Sequence, residues 1–258
     1  MKSDSHTLVA IDAAVVAAVS IAICIASHNL VFMTVFVPAV ILLRMLLLWS
    51  ISKKQNVNIK AEMVFLAICT LLGGFNDWNT VVNKGVYVYT VPHFFTFSSI
   101  PLWMLLFWGM ILRFFARFAR WSALGPPDKA SNIVHIGNSQ IDSAAVKVIV
   151  ELLIVLLTRM AIYKLYMHPV FSWLPFLAGL ALALYLFKPL AHDYKLLIAF
   201  LVIGPFIEAL YIQVGDLHYY HLGWFAGVPL WIIVWWMLII MIWKDLALRI
   251  ESTLRKIL

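Results

Sequence analysis

The chain has 258 residues, 64% hydrophobic and 12% charged, with a formal net charge of +7. Soluble domains carry roughly 25% charged residues, so a water-soluble globule is excluded. A bilayer core about 30 Å thick takes about 20 apolar residues per helix, and eight such helices leave too little chain for a separate soluble domain.

In chain order the apolar runs predict eight membrane-spanning helices: Leu8 to Ser27, Leu30 to Ser50, Ala61 to Val82, Ser98 to Arg117, Ala144 to Leu165, Pro169 to Phe187, Lys195 to Gln213 and Phe225 to Trp243. The first exceeds the apolar region of a signal peptide, about 7 to 15 residues, and reads as a retained anchor. With the amino terminus in the cytoplasm, 16 of the 19 Lys and Arg fall on the inner side and only Lys84, Arg159 and Lys164 on the outer. Basic residues placed this way encode orientation. The excess positive charge therefore reads as orientation, with both termini cytoplasmic, and not as a nucleic-acid site; the expected location is a bacterial inner (plasma) membrane. Cys24 and Cys69 lie inside apolar runs and read as small packing residues.

Trp121 to Ser143, which contains Gly125-Pro126-Pro127-Asp128-Lys129, reads as a cytoplasmic linker. It separates a first four-helix unit, residues 1–120, from a second, residues 144–243. The tail, 244–258, places Lys244, Arg249, Arg255 and Lys256 among Leu and Ile, the pattern of an amphipathic helix lying on the anionic inner leaflet.

The two units repeat each other. Gly73-Gly74-Phe75-Asn76-Asp77 in the third span matches Gly204-Pro205-Phe206-Ile207-Glu208 in the seventh. Downstream, Gly85 with Tyr87 and Tyr89 matches Gly215 with Tyr219 and Tyr220, and His93 matches His221. Pro101-Leu102-Trp103 with Trp108 then matches Pro229-Leu230-Trp231 with Trp236. Four spans per copy keep both copies in one orientation, so the expected fold is an all-α integral membrane protein of two parallel four-helix repeats about an axis along the membrane normal.

Asp77 and Glu208 fall in the outer parts of their spans. Charged side chains in hydrocarbon cost about 2.5–3.5 kcal/mol on insertion scales and normally face an interior cavity. Gly74 and Pro205 mark helix weak points one turn before the acids. Asn76, Asn79 and Asn83 form a polar stripe, and Trp103, Trp108, Trp231, Trp235 and Trp236 read either as pocket walls or as an interfacial belt. A buried carboxylic acid stays protonated near neutrality and can protonate a double bond, with aromatic faces stabilising the resulting cation. Asp77 and Glu208 are therefore the candidate catalytic residues. Asn76, Asn79, Tyr87, Tyr89, His93, Trp103, Tyr211, Tyr219, His221 and Trp231 are the candidate substrate-binding set. The same acids also suit a purely structural hydrogen bond across the bundle. With His93, His218 and His221 they suit a metal, although the chain lacks dense His clusters, and neither a metal nor a cofactor is expected. Asp12 and Glu62, near inner span ends, read as interfacially solvated; Glu151 has Arg159 as its nearest basic candidate along the helix.

The run from Gly204 through Glu208, Gly215, Tyr219-Tyr220, Gly227-Val228-Pro229-Leu230 and Trp236 resembles the carotenoid hydratase family and, more distantly, the lycopene cyclase domains. Asn76-Asp77-Trp78-Asn79 with Gly85 and Tyr87-Val88-Tyr89 is similar to the acid, Gly and Tyr phrase repeated in those cyclases. The resemblance implies a polytopic helical enzyme that protonates a polyene or adds water to it. It departs where the cyclases carry paired acids, since Leu230 and Trp231 follow Pro229 here. The leading expectation is an isoprenoid cyclase- or hydratase-like enzyme acting on a hydrophobic lipid or isoprenoid. The alternatives are a small lipid or solute transporter with a carboxylate-containing site, and a non-catalytic membrane assembly subunit.

Overall fold

The computed structural model describes residues 6–94, 99–124 and 131–258. Lys2, Ser98 and the Gly125-Pro126-Pro127-Asp128-Lys129 stretch lie outside the described residues. Within them the chain forms α1 (His6–Ala26), α2 (Leu30–Gln55), α3 (Ile59–Trp78), β1 (Tyr87–Tyr89), α4 (Leu102–Phe118), β2 (Ile133–Ile136) and β3 (Ser139–Asp142), followed by α5 (Ala144–Leu165), α6 (Leu174–Phe187), α7 (Ala191–Gln213), β4 (His218–Tyr220) and α8 (Leu230–Ile257).

Local chemistry sets the helix starts. Asn29, Asn58 and Ser143 cap α2, α3 and α5 by accepting from the backbone N–H of Phe32, Ala61 and Val146, which satisfies donors that a helix leaves open. Pro101 and Pro229 each hold an extended N-cap conformation ahead of α4 and α8. Residues such as Ile25, Val35, Leu71, Leu157 and Val202 turn outward, the arrangement expected where lipid replaces water around a bundle. Among the described residues five helices, including the π-helical extension of α3 to Asn83, are long and apolar enough to cross a membrane: His6–Ala26, Leu30–Gln55, Ile59–Asn83, Ala191–Gln213 and Leu230–Ile257. The chain thus has the architecture of an all-α membrane protein. α4 and α6, with 17 and 14 residues, are shorter, and α5 carries Lys147, Glu151, Arg159 and Lys164.

α3 packs along α4 and α7 along α8, and α4 and α8 meet. Close glycine contacts set the separation in both pairs. An ideal Cβ on Gly73 would lie 2.8 Å from Trp108 Cβ, and one on Gly204 would lie 2.3 Å from Trp236 Cγ. The expected breaks at Gly74 and Pro205 do not appear, since α3 and α7 run through them. The irregularity comes one turn later instead, as a π-helical turn over Asn79–Asn83.

Three sequence expectations are corrected. The tail is the last half of α8 rather than a surface helix: Asp245, Ala247, Leu248 and Glu251 are buried, because their side chains have partners on other helices. The linker contains the β2–β3 hairpin, to which Arg249 of α8 is tied through Asn132 Oδ1 at 2.9 Å. Asp12 and Glu62 are not solvated. Arg44 Nε lies 2.7 Å from Asp12 and its Nη2 2.5 Å from Glu62. Arg113 bonds Glu62 at 2.7 Å and Glu251 at 2.8 Å, Arg117 bonds Glu62 at 3.1 Å, and Arg120 bonds Glu251. This buried network binds α1, α2, α3, α4 and α8 at the end of the bundle where α1 begins and α8 ends. Lys147 with Asp245 and Lys244 with Asp193 do the same for α5, α7 and α8.

Candidate functional site

The opposite end of the bundle is closed by a two-stranded antiparallel ribbon in which Tyr87 faces Tyr220, Val88 faces Tyr219 and Tyr89 faces His218. Side chains alternate across a strand. Tyr87, Tyr89, His218 and Tyr220 therefore share the face turned toward the helices, and Tyr219, 46% exposed, takes the other.

That inner face meets both acids. Asp77, fully buried, accepts from the Tyr87 hydroxyl and, at 2.9 Å, from the Tyr89 hydroxyl. Glu208 Oε2 lies 3.2 Å from His218 Nε2 and accepts from the Tyr220 hydroxyl at 3.3 Å. Each acid thus binds the ring groups ten and twelve residues after it. The four rings also pack on one another, with Tyr87 centred 5.3 Å from His218 and 5.2 Å from Tyr220.

Burial, and then the neighbouring Asp77, push the phenols of Tyr87 and Tyr89 well above their usual range, and burial with Glu208 does the same for Tyr220. The phenols therefore remain donors. A raised phenol contributes stability that is fully present below the ordinary tyrosine value of about 10 and is lost as pH climbs through the folded value. On alkaline titration followed by ultraviolet absorbance, these three tyrosines are expected to ionise together with loss of helical circular dichroism. Their ionisation with the helices intact would contradict the burial of the ribbon.

Beneath the ribbon lies a cavity of about 330 Å³, within the range of small-molecule sites. Its polar groups include Glu208, Tyr87, Tyr89, His218 and Tyr220, and its apolar wall includes Trp108, Phe115, Phe200, Trp231, Trp235 and Trp236. Ile21 of α1 and Ile203 of α7 line it while being 60% and 43% exposed, so it reaches the outer surface of the bundle between those helices. Asp77 is not on the wall. It meets the cavity through Tyr87 and Tyr89.

The remaining predicted residues divide. Trp231 and Tyr211 line the cavity, and the Tyr211 hydroxyl pairs with Ser20 at 2.7 Å. Asn76 also lines it, bonded by Arg159, whereas Asn79 donates to the Tyr163 hydroxyl at 2.8 Å. Trp103 is buried away from the lining. His93 sits 3.2 Å from the Val91 carbonyl, and His221 bonds the Gly85 carbonyl at 2.9 Å. With Tyr219 these two histidines lie outside the cavity, and the repeat's Tyr219 and His221 give way to Tyr220 and His218. Among the described residues no group of three or more His, Cys, Asp and Glu converges as a metal site. Glu151 pairs with Lys147 at 3.9 Å rather than with Arg159.

No family model, curated protein or solved structure matches the chain.

Proposed function

We propose that the chain is a membrane-embedded enzyme that protonates a carbon–carbon double bond of a carotenoid or other isoprenoid lipid, with Glu208 as the acid. The observation that carries this reading is the placement of Glu208, 7% exposed, on a largely apolar, aromatic-rich cavity that opens toward lipid. In the reaction the Glu208 proton adds to one alkene carbon and leaves a carbocation on the other. A second double bond then closes on the cation and a neighbouring carbon gives up a proton to the carboxylate, which is cyclisation; or water adds and gives up its proton, which is hydration. The faces of Trp231, Trp235 and Trp236 suit the cation. His218 and Tyr220 orient the carboxyl, and Asp77 holds Tyr87 and Tyr89 in place.

The same reading takes the helices as eight spans in two parallel four-helix repeats, with both termini at the cytoplasmic face of a plasma membrane. The common ten-and-twelve spacing supports it, since it makes Tyr87 the counterpart of His218 and Tyr89 that of Tyr220. Each then pairs in the ribbon with the counterpart of the other, as a two-fold axis passing between Val88 and Tyr219 requires. Gly73 against Trp108 and Gly204 against Trp236 obey the same relation.

Mass spectrometry of lipids co-purified with the protein and incubated with it in detergent tests the reading. An isoprenoid is expected to change mass, by water for hydration, or to shift to a cyclic isomer of equal mass. Glu208→Gln is expected to reduce turnover by more than about 100-fold with an unchanged size-exclusion profile. Ordinary phospholipid as the sole bound lipid, or a substrate moved unchanged across a proteoliposome, would sink it.

A further inference from the structure

Among the described residues Arg159 is the buried cation that the ion-pair networks leave out. It stands on α5, 9% exposed, on the wall of the cavity. Arg44, Arg113 and Arg117 each bond a buried carboxylate; among the described residues none lies within ion-pair distance of Arg159. Both of its side-chain hydrogen bonds leave from Nη2, to Asn76 Oδ1 and, at 3.2 Å, to Thr80 Oγ1. Those bonds, with the rings of Tyr163 and Trp235 centred 5.7 and 5.5 Å from its Cζ, fix the guanidinium plane and leave Nε and Nη1 without a hydrogen-bond partner among the described residues.

A buried cation with no carboxylate in ion-pair contact is costly, and a guanidinium edge with two free N–H directions matches two oxygens of a carboxylate or phosphate. Asn76 and Thr80 line the same cavity, so the groups that bond the guanidinium are neutral, and Asp77 acts on it only from beyond ion-pair distance. The rest of the wall is mostly aliphatic and aromatic and opens between α1 and α7, which suits a long apolar chain and not a free polar solute.

We propose that Arg159 seats the oxyanion head of an amphiphile, a phosphate ester or carboxylate, whose isoprenoid or acyl tail lies along the aromatic wall. This rests on the preceding reading only in taking the cavity as the ligand site, and it narrows the substrate class to an anionic prenyl or acyl lipid. Asn76 and Thr80 are positioning residues that hold the guanidinium.

The test uses the full chain in nanodiscs of phosphatidylcholine, with native mass spectrometry counting bound ligand. The probes are farnesyl phosphate, farnesol and inorganic phosphate. Farnesyl phosphate is expected to bind at least tenfold more tightly than farnesol. Arg159→Gln is expected to remove that preference while leaving farnesol binding unchanged, and Arg159→Lys to keep part of it. Thr80→Val, which retains the charge, is expected to weaken farnesyl phosphate by a smaller factor and serves if Arg159→Gln does not fold. Binding of inorganic phosphate that is lost in Arg159→Gln would support the anion site and assign its ligand to free phosphate. Equal affinity for farnesyl phosphate and farnesol in the unaltered protein, or a preference that survives both Arg159→Gln and Thr80→Val, would overturn the proposal. Glu208→Gln is expected to keep the farnesyl phosphate preference. A failed head-group preference with turnover intact therefore sinks this inference alone, whereas preference retained without any turnover counts against the protonation chemistry alone.

Discussion

Glu62→Gln is expected to destabilise the protein by about 3–5 kcal/mol, the usual cost of removing one member of a buried ionic cluster. The carboxylate of Glu62 serves three guanidiniums at once, those of Arg44, Arg113 and Arg117, at distances of 2.5, 2.7 and 3.1 Å. Asp12 remains beside Arg44 at 2.7 Å and Arg117 at 3.4 Å, and Glu251 beside Arg113 at 2.8 Å, so the variant crowds positive charge rather than stranding it wholly. Unfolding of the purified protein in detergent with rising dodecyl sulfate measures the change. Exposed Lys53, replaced by Gln, should move the same midpoint by no more than about 0.5 kcal/mol. Pairing Glu62→Gln with Arg113→Met should recover part of the loss, since Arg44 and Arg117 keep Asp12 and Glu251 keeps Arg120. Strict additivity of the two substitutions would show that they do not share one network.

That cluster marks where sequence reading stops. Apolar run length locates the helices, because a bilayer-sized stretch is a property of consecutive residues. The partners of Glu251 are Arg113 and Arg120, 138 and 131 positions away, and nothing near Glu251 in the chain distinguishes a charge buried against another helix from one facing water. The tail therefore read as a surface helix, although its buried positions Asp245, Leu248 and Glu251 follow a three-residue helical step. Within the site, the matched motifs locate Asp77, Glu208 and Tyr220 but put Tyr219 and His221 where the structure turns His218 inward. Three-residue strands are too short to display an alternation by themselves. Counting ten and twelve residues from each acid, with odd positions turned away, selects His218 and Tyr220 over Tyr219 and His221. Arg159 is illegible for a related reason: its partners Asn76 and Thr80 belong to α3 and its π turn, whereas Glu151 is the acid on its own helix.

Gly73→Ala and Gly204→Ala are expected to diverge although the two glycines occupy matched places. Alanine gains about 1 kcal/mol over glycine inside a helix, and overpacking a tight contact costs about 1–3 kcal/mol; the outcome depends on what can yield. At Gly73 the new methyl meets Trp108 Cβ at 2.8 Å and the Trp108 carbonyl carbon at 3.4 Å, atoms that move only with α4. The helices must part, so Gly73→Ala should lose about 1–2 kcal/mol net by the same detergent unfolding measurement. At Gly204 the methyl meets the Trp236 ring, 2.3 Å from Cγ and 2.6 Å from Cδ1. An indole can swing about its side-chain bonds, and Trp236 borders the cavity, so the ring has space to enter. Gly204→Ala should therefore cost less stability than Gly73→Ala and instead obstruct the cavity, weakening farnesol and farnesyl phosphate alike by about tenfold, on the order of 1.4 kcal/mol. Trimming the ring with Trp236→Leu in the Gly204→Ala background should restore binding. If Gly204→Ala binds both probes as well as the unaltered protein, Trp236 does not form the wall of the ligand site, and the aromatic surface required for the proposed cation chemistry is lost with it.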